Sequence, residues 1–171
     1  MRVLLTSPFP RWFLLLSKLV GGVAVSLIQV YVFLAVARLW EVEIPAAGLF
    51  LAFPAFLLAG FMLGAIGLFL SSLVRQLENF ASVMNFVIFP MFFASSALYP
   101  LWRVQEASLP LWYVCQANPF TQAVELIRFA LYGQFDPVSC AAVTVALLVF
   151  GGAAVLGYDP QRGMLARRAA A

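Results

Sequence analysis

Charged residues are missing from long stretches of this chain, and the gaps between them set its elements. Leu19 to Ala37 is one uncharged run, Ile44 to Val74 a second, Asn79 to Trp102 a third and Pro137 to Tyr158 a fourth. Each reaches the roughly 20 residues that one helical crossing of a bilayer requires. The second run is longer than needed, and Pro45 and Gly48 place the start of its helix near Leu49. A fifth uncharged run, Ala107 to Val124, contains Pro110, Gln116, Asn118, Pro119 and Gln122 and reads as folded into the membrane boundary. The predicted fold is therefore an all-α integral membrane domain over residues 1–171. It has spans at about 13–37, 49–73, 79–101 and 138–157, an outer segment at 102–137, a run-in at 1–12 and a tail at 158–171. Four spans are favoured over five.

Composition agrees with lipid as the solvent. Of 171 residues, 64% are hydrophobic and only 10% are charged. Mean hydropathy is +1.00. A soluble domain carries about 25% charged residues. The chain has no histidine, which removes the usual proton relay, nucleophile partner and metal ligand.

The basic residues give an orientation. With the N-terminus inside and four spans, Arg2, Arg11, Lys18, Arg75, Arg162, Arg167 and Arg168 are cytoplasmic, seven of the ten basic residues. Arg38, Arg103 and Arg128 fall outside with Glu41, Glu43, Glu106, Glu125 and Asp136. Both termini are then cytoplasmic. The first run is too long for a signal-peptide core, and Pro8 and Pro10 precede it, so it reads as a retained span.

Local motifs refine this. In "LLTSPFPRWFLLLSK" two prolines deny a continuous helix, and Ser7 is placed to cap one that starts at Pro8. The stretch reads either as a docking element or as an interfacial run-in, and residue chemistry alone favours the second. Gly60, Gly64 and Gly67 form a small-residue face suited to close helix packing in lipid, static or sliding. Pro90 removes a backbone donor from the third span and lets it kink, as a moving bend or a fixed one. Ser95 and Ser96 are placed to satisfy freed carbonyls, or to offer hydroxyls to a partner helix or a substrate. Asn118 before Pro119 is a helix start and Gly133 a stop. The helix between them is about 21 Å long, too short to cross. Glu125 and Arg128 can pair on one of its faces, which suggests an amphipathic or re-entrant helix, with an ordinary interfacial loop as the alternative. Tyr99, Trp102, Trp112, Tyr113 and Tyr132 supply an aromatic belt at that depth. Cys115 and Cys140 both lie outside in this topology, and their pairing is open.

The stretches "NFVIFPMFFASSALYPL" and "LPLWYVCQANPFTQAVELIRFALYG" resemble the C-terminal half of type-2 ABC exporter permeases, whose nodulation-signal, antibiotic and polysaccharide exporters share this order of elements. The most specific part is Asn118-Pro119-Phe120-Thr121 through Arg128. "LLTSPFPRWFLLLSK" resembles the cytoplasmic loop before the family's third span. The resemblance implies a half-transporter in the bacterial inner membrane that dimerises, most simply with a second copy. It also implies a separate cytoplasmic ATP-binding-cassette ATPase, which binds ATP and Mg. By the same resemblance Thr6, Ser7, Pro8, Phe9 and Arg11, with Arg75 and Glu78 after the second span, contact that ATPase. Asn118, Pro119, Phe120, Glu125 and Arg128 form an outer gate, and Pro90, Ser95 and Ser96 lie along the pathway. Family members have six spans and an N-terminal interfacial helix, so the chain is expected to lack the first two spans.

The chain contains no GxxxxGK[ST] phosphate cradle and no acidic cluster within a span. The expected role is a non-enzymatic permease subunit of an ATP-driven exporter for an amphipathic, lipid-like, glycan or drug-like cargo, with no cofactor of its own and no nucleic-acid partner. The alternative is a non-transporting assembly or scaffold protein, or an inactive permease fragment.

Overall fold

The computed structural model describes residues 11–40, 45–74 and 77–157. Among these residues it is helical and has no strand. The order is α1 (Arg11–Leu39), α2 (Ala46–Leu51), α3 (Phe53–Leu73), α4 (Leu77–Phe93), α5 (Leu101–Ala107), α6 (Leu109–Ala117), α7 (Pro119–Leu131) and α8 (Pro137–Gly157). Among the described residues three units are long and apolar enough to cross a membrane: α1, α2 with α3, and α8. The remaining apolar helix, within α4, covers Ser82–Phe93.

Helix α3 is the centre of the bundle. Its inward positions are small or flexible (Ala55, Ala59, Met62, Ile66), and they form one buried cluster with Ala123 and Leu126 of α7 and Val143 of α8. Small residues bring backbones close, which drives helix association where lipid removes the hydrophobic force. Helix α1 runs antiparallel to α3. A Cβ built at Gly60 would lie 3.3 Å from Val23, and one at Gly64 would lie 2.5 Å from Leu19. Gly67 packs against nothing within 4 Å, so the packing seam has two glycines and not three. Helix α8 runs parallel to α3, with Phe150 against Phe69 at 5.8 Å and Gly157 against Ser72. The start of α1 and the ends of α3 and α8 therefore share one end of the bundle.

Two helix boundaries differ from the sequence expectation. The second span begins at Ala46, three residues before Leu49, and Gly48 lies inside the helix. Gly48 is needed there for space: a Cβ would fall on the Leu131 carbonyl oxygen. The same helix is interrupted at Ala52, just before Pro54. Pro54 has no N–H for the preceding turn. At this break Tyr31 of α1 donates a 2.8 Å hydrogen bond to the Leu49 carbonyl.

The expected third span, 79–101, is helical only to Phe93. Its 17 residues measure about 25 Å, below the roughly 30 Å hydrocarbon core. Pro90 sits inside this helix, which continues for almost a turn beyond it, with the Ala94 N–H reaching the Pro90 carbonyl at 2.9 Å. The chain leaves the helix at the turn 94–100 instead. There Ser95 donates to the Phe92 carbonyl at 2.5 Å and accepts from Ala97 N at 3.2 Å. A serine that bonds its own neighbouring backbone offers an alternative to the helical ladder and ends it.

Candidate functional site

The most constructed part of the molecule is where α7 meets the broken end of α4. A helix that stops inside a membrane domain leaves its last carbonyls without partners, and lipid cannot supply any. Two of these are claimed by one side chain. Asn118 Nδ2 donates to the Met91 carbonyl at 2.7 Å and to the Ala94 carbonyl at 2.8 Å. The other end of the same amide, Oδ1, accepts from Phe120 N at 3.0 Å and caps α7. Asn118 thus closes the C-terminus of one helix and the N-terminus of another. Pro119 follows at the first helical position, where a missing N–H costs nothing.

A second link lies three turns along α7. Arg128 donates through Nη2 to the Ser96 carbonyl and through Nη1 to Glu125 Oε1, both at 3.0 Å. The Glu125 side chain is 12% exposed and that of Arg128 43%, so the carboxylate is the more desolvated partner. Asn118, Thr121, Glu125 and Arg128 recur at three- and four-residue spacing and lie on one face of α7. The opposite face carries Ala123 and Leu126 into the bundle core. Phe120 closes the junction with an edge contact to Phe92 at 6.0 Å.

The hydroxyls of Ser96 and Thr121 are buried here without a hydrogen-bond partner. Ser95 is committed to its own turn. Of the two serines singled out in the sequence, only Ser96 has a hydroxyl left for another molecule.

Helix α7 ends as its sequence requires. Gly133 has φ +72°, Gln134 N reaches the Phe129 carbonyl at 2.9 Å, and Gly133 N reaches the Ala130 carbonyl at 3.1 Å. These two bonds make a Schellman cap, which needs the left-handed conformation that glycine adopts freely. The chain then starts α8 with the device used at Asn118: Asp136 precedes Pro137 and accepts from Val138 N at 3.0 Å. Ser139 joins the two helices, with its hydroxyl 2.6 Å from Asp136 Oδ2 and 3.0 Å from Gln122 Oε1. The Asp136-Pro137 cap and the Gly48–Leu131 contact were missed in the sequence. The first was legible from its likeness to Asn118-Pro119; the second had no local signal.

Around this junction Tyr99, Trp102, Tyr113 and Tyr132 are exposed, and Arg103 lies over the Trp102 ring at 5.4 Å. Cys115 is buried and Cys140 half-buried, and both are free thiols, so the pairing left open in the sequence is not made. Of the expected ATPase contacts, Thr6, Ser7, Pro8, Phe9 and Arg75 lie outside the described residues. The side chains of Arg11 and Glu78, at the starts of α1 and α4, also lie outside them.

Comparison with known proteins gives one match. A family model described as ABC-2 type transporter matches residues 1–132, which contain α1 to α7. No curated protein and no solved structure matches this chain.

Proposed function

Since the chain belongs to the ABC-2 type transporter family, a membrane permease family, we propose that it is the permease subunit of an ATP-driven exporter. In this reading it provides part of the pathway for an amphipathic, lipid-like, glycan or drug-like cargo. A second permease subunit, most simply another copy, completes the pathway. Hydrolysis belongs to a cytoplasmic ATP-binding-cassette ATPase that docks on the segment Thr6 to Arg11, with Arg75 and Glu78 as a secondary contact. The membrane is the bacterial inner membrane, with both termini in the cytoplasm.

The observation that carries this reading is the doubly capped break at Asn118. Here α4 ends after 17 residues, and its end is held by side chains of another element. Polar links of this kind are individually weak in a membrane, about 0.6 kcal/mol on average. Such a junction can be opened by a modest input of binding energy from the ATPase side. Ser96 and Thr121 then offer hydroxyls to a polar part of the cargo.

The test is reconstitution of the chain with its ATPase in proteoliposomes. A photo-crosslinker at position 9 should capture the ATPase, and ATP hydrolysis should rise when both subunits are present. Crosslinks confined to the C-terminal tail, or hydrolysis indifferent to this chain, would sink the proposal.

A further inference from the structure

The cluster that starts α8 is one hydrogen short. Ser139 is buried, and its hydroxyl lies 2.6 Å from Asp136 Oδ2 and 3.0 Å from Gln122 Oε1. Both neighbours are acceptors, and a hydroxyl has a single hydrogen to donate. Turning the Gln122 amide over does not supply another. Its Nε2 is committed to the Gln116 carbonyl at 2.7 Å, and a flip would set two carbonyl oxygens against each other there. An ionised carboxylate is the stronger acceptor and here the nearer one, so it takes the Ser139 hydrogen. Gln122 Oε1 then faces a lone pair, and α7 and α8 lose this link.

One proton on Asp136 completes the set. The protonated carboxyl donates through Oδ2 to Ser139 Oγ, which frees the hydroxyl hydrogen for Gln122 Oε1. Gln122 Nε2 carries the chain on to Gln116, so α8, α7 and α6 are joined by bonds that all run one way. Oδ1 still accepts from Val138 N, and the α8 cap survives. The surrounding elements bring few other charges. Among the described residues no cation pairs with Asp136. Helices α2 and α3 have no titratable side chain, and α1 meets α8 at the opposite end, around Gly151 and Ala154. On α7, Glu125 and Arg128 pair with each other. The remaining groups nearby in the chain are Tyr113 and Cys115 of α6, the exposed Tyr132, and Cys140 one turn along α8.

We propose that Asp136 is a proton switch for the α7–α8 junction, with the Ser139–Gln122 link open when the carboxyl is ionised and closed when it is protonated. The linked form binds one more proton than the open form, so the link strengthens as pH falls and is lost as pH rises. In the proposed topology the proton comes from the outer medium. Closing the link fixes α7, which holds the end of α4 through Asn118. The switch rests on the α7–α8 contact alone and not on the exporter reading.

The experiment is a double-mutant cycle of Ser139→Ala and Gln122→Leu in the purified full chain. It is read by SDS-induced unfolding in mixed micelles at about pH 7 and at about pH 4, where an aspartate takes up its proton. Effects of other carboxyls cancel in the coupling. The coupling should be absent at neutral pH and appear in acid as about three-fold in the unfolding constant, the size of one interhelical hydrogen bond in a membrane protein. Asp136→Asn carries the missing hydrogen at every pH on its amide and still caps α8. In that background the coupling should be about three-fold under both conditions. A second measurement leaves the link intact: spin labels at the exposed Phe129 and Val138, in a Cys115→Ala, Cys140→Ala background, should show a narrower distance distribution in acid. Coupling of equal size at both pH values in the parent would overturn the switch. Coupling absent throughout, with Asp136→Asn included, would overturn the link. Coupling that still depends on pH in Asp136→Asn would place the proton elsewhere and refute the proposal. Recovery of the coupling at neutral pH by sodium or calcium would make the cluster a cation site, which also refutes it.

Discussion

Replacing Asn118 separates its two jobs. Asn118→Ala removes the cap on α7 and the two donors that hold the Met91 and Ala94 carbonyls. The cap contributes about 0.5–2 kcal/mol. Each bond to α4 contributes about 0.6 kcal/mol in a membrane protein. Together the loss is about 2–3 kcal/mol. Asn118→Asp is the sharper variant. A carboxylate caps a helix N-terminus as well as an amide does, so if capping were the whole role this variant would match the parent. It has no N–H, however, and sets a negative charge against two carbonyl oxygens now 2.7 and 2.8 Å from the amide nitrogen. Asn118→Asp should therefore be at least as unstable as Asn118→Ala. The assay is SDS-induced unfolding of the purified full chain in mixed micelles, followed by circular dichroism. Labelling of a cysteine at Ala97 reports opening of the turn. Parental stability and parental labelling for Asn118→Asp would refute the claim that Asn118 holds the end of α4.

Arg128→Ala should cost about 1–2 kcal/mol in the same assay, because the Ser96 carbonyl loses a donor and Glu125, 12% exposed, loses its cation; the 43% exposure of Arg128 keeps the figure low. The double change Glu125→Gln with Arg128→Gln should recover part of that loss, whereas Glu106→Ala, at an exposed position of α5, should lose nothing. Parental behaviour of Arg128→Ala would make the ion pair incidental. Gly48→Ala should destabilise by about 1–3 kcal/mol through collision with the Leu131 backbone, while Gly67→Ala, facing open space, should stay within about 0.5 kcal/mol of the parent. Equal stabilities would show that α2 and α7 do not pack as described. For topology, single cysteines at positions 106 and 167 in a Cys115→Ala, Cys140→Ala background should be labelled from opposite sides of the membrane. Labelling of position 106 from the cytoplasmic side would reverse the orientation.

The sequence by itself determined the membrane class, the main apolar helices and both ends of α7. Each is a local property. Uncharged length sets a crossing, Asn118-Pro119 starts a helix through its own backbone, and Gly133 ends one because it alone accepts φ +72° without strain. The Glu125–Arg128 pair was legible for the same reason, since residues three apart on a helix are neighbours. Where α4 ends was not local. The apolar run continues through Trp102, and the local signal for a bend is Pro90. The break falls at the turn 94–100 because the Met91, Ala94 and Ser96 carbonyls find donors on Asn118 and Arg128, 24 to 32 residues away. The place of Gly48 was likewise hidden, because its reason is the Leu131 backbone on another helix. The packing of α1 on α3 also depends on tertiary structure: glycine at 60 and 64 permits contact, while glycine at 22 and 67 leaves a gap, and only the register of the two helices separates these roles.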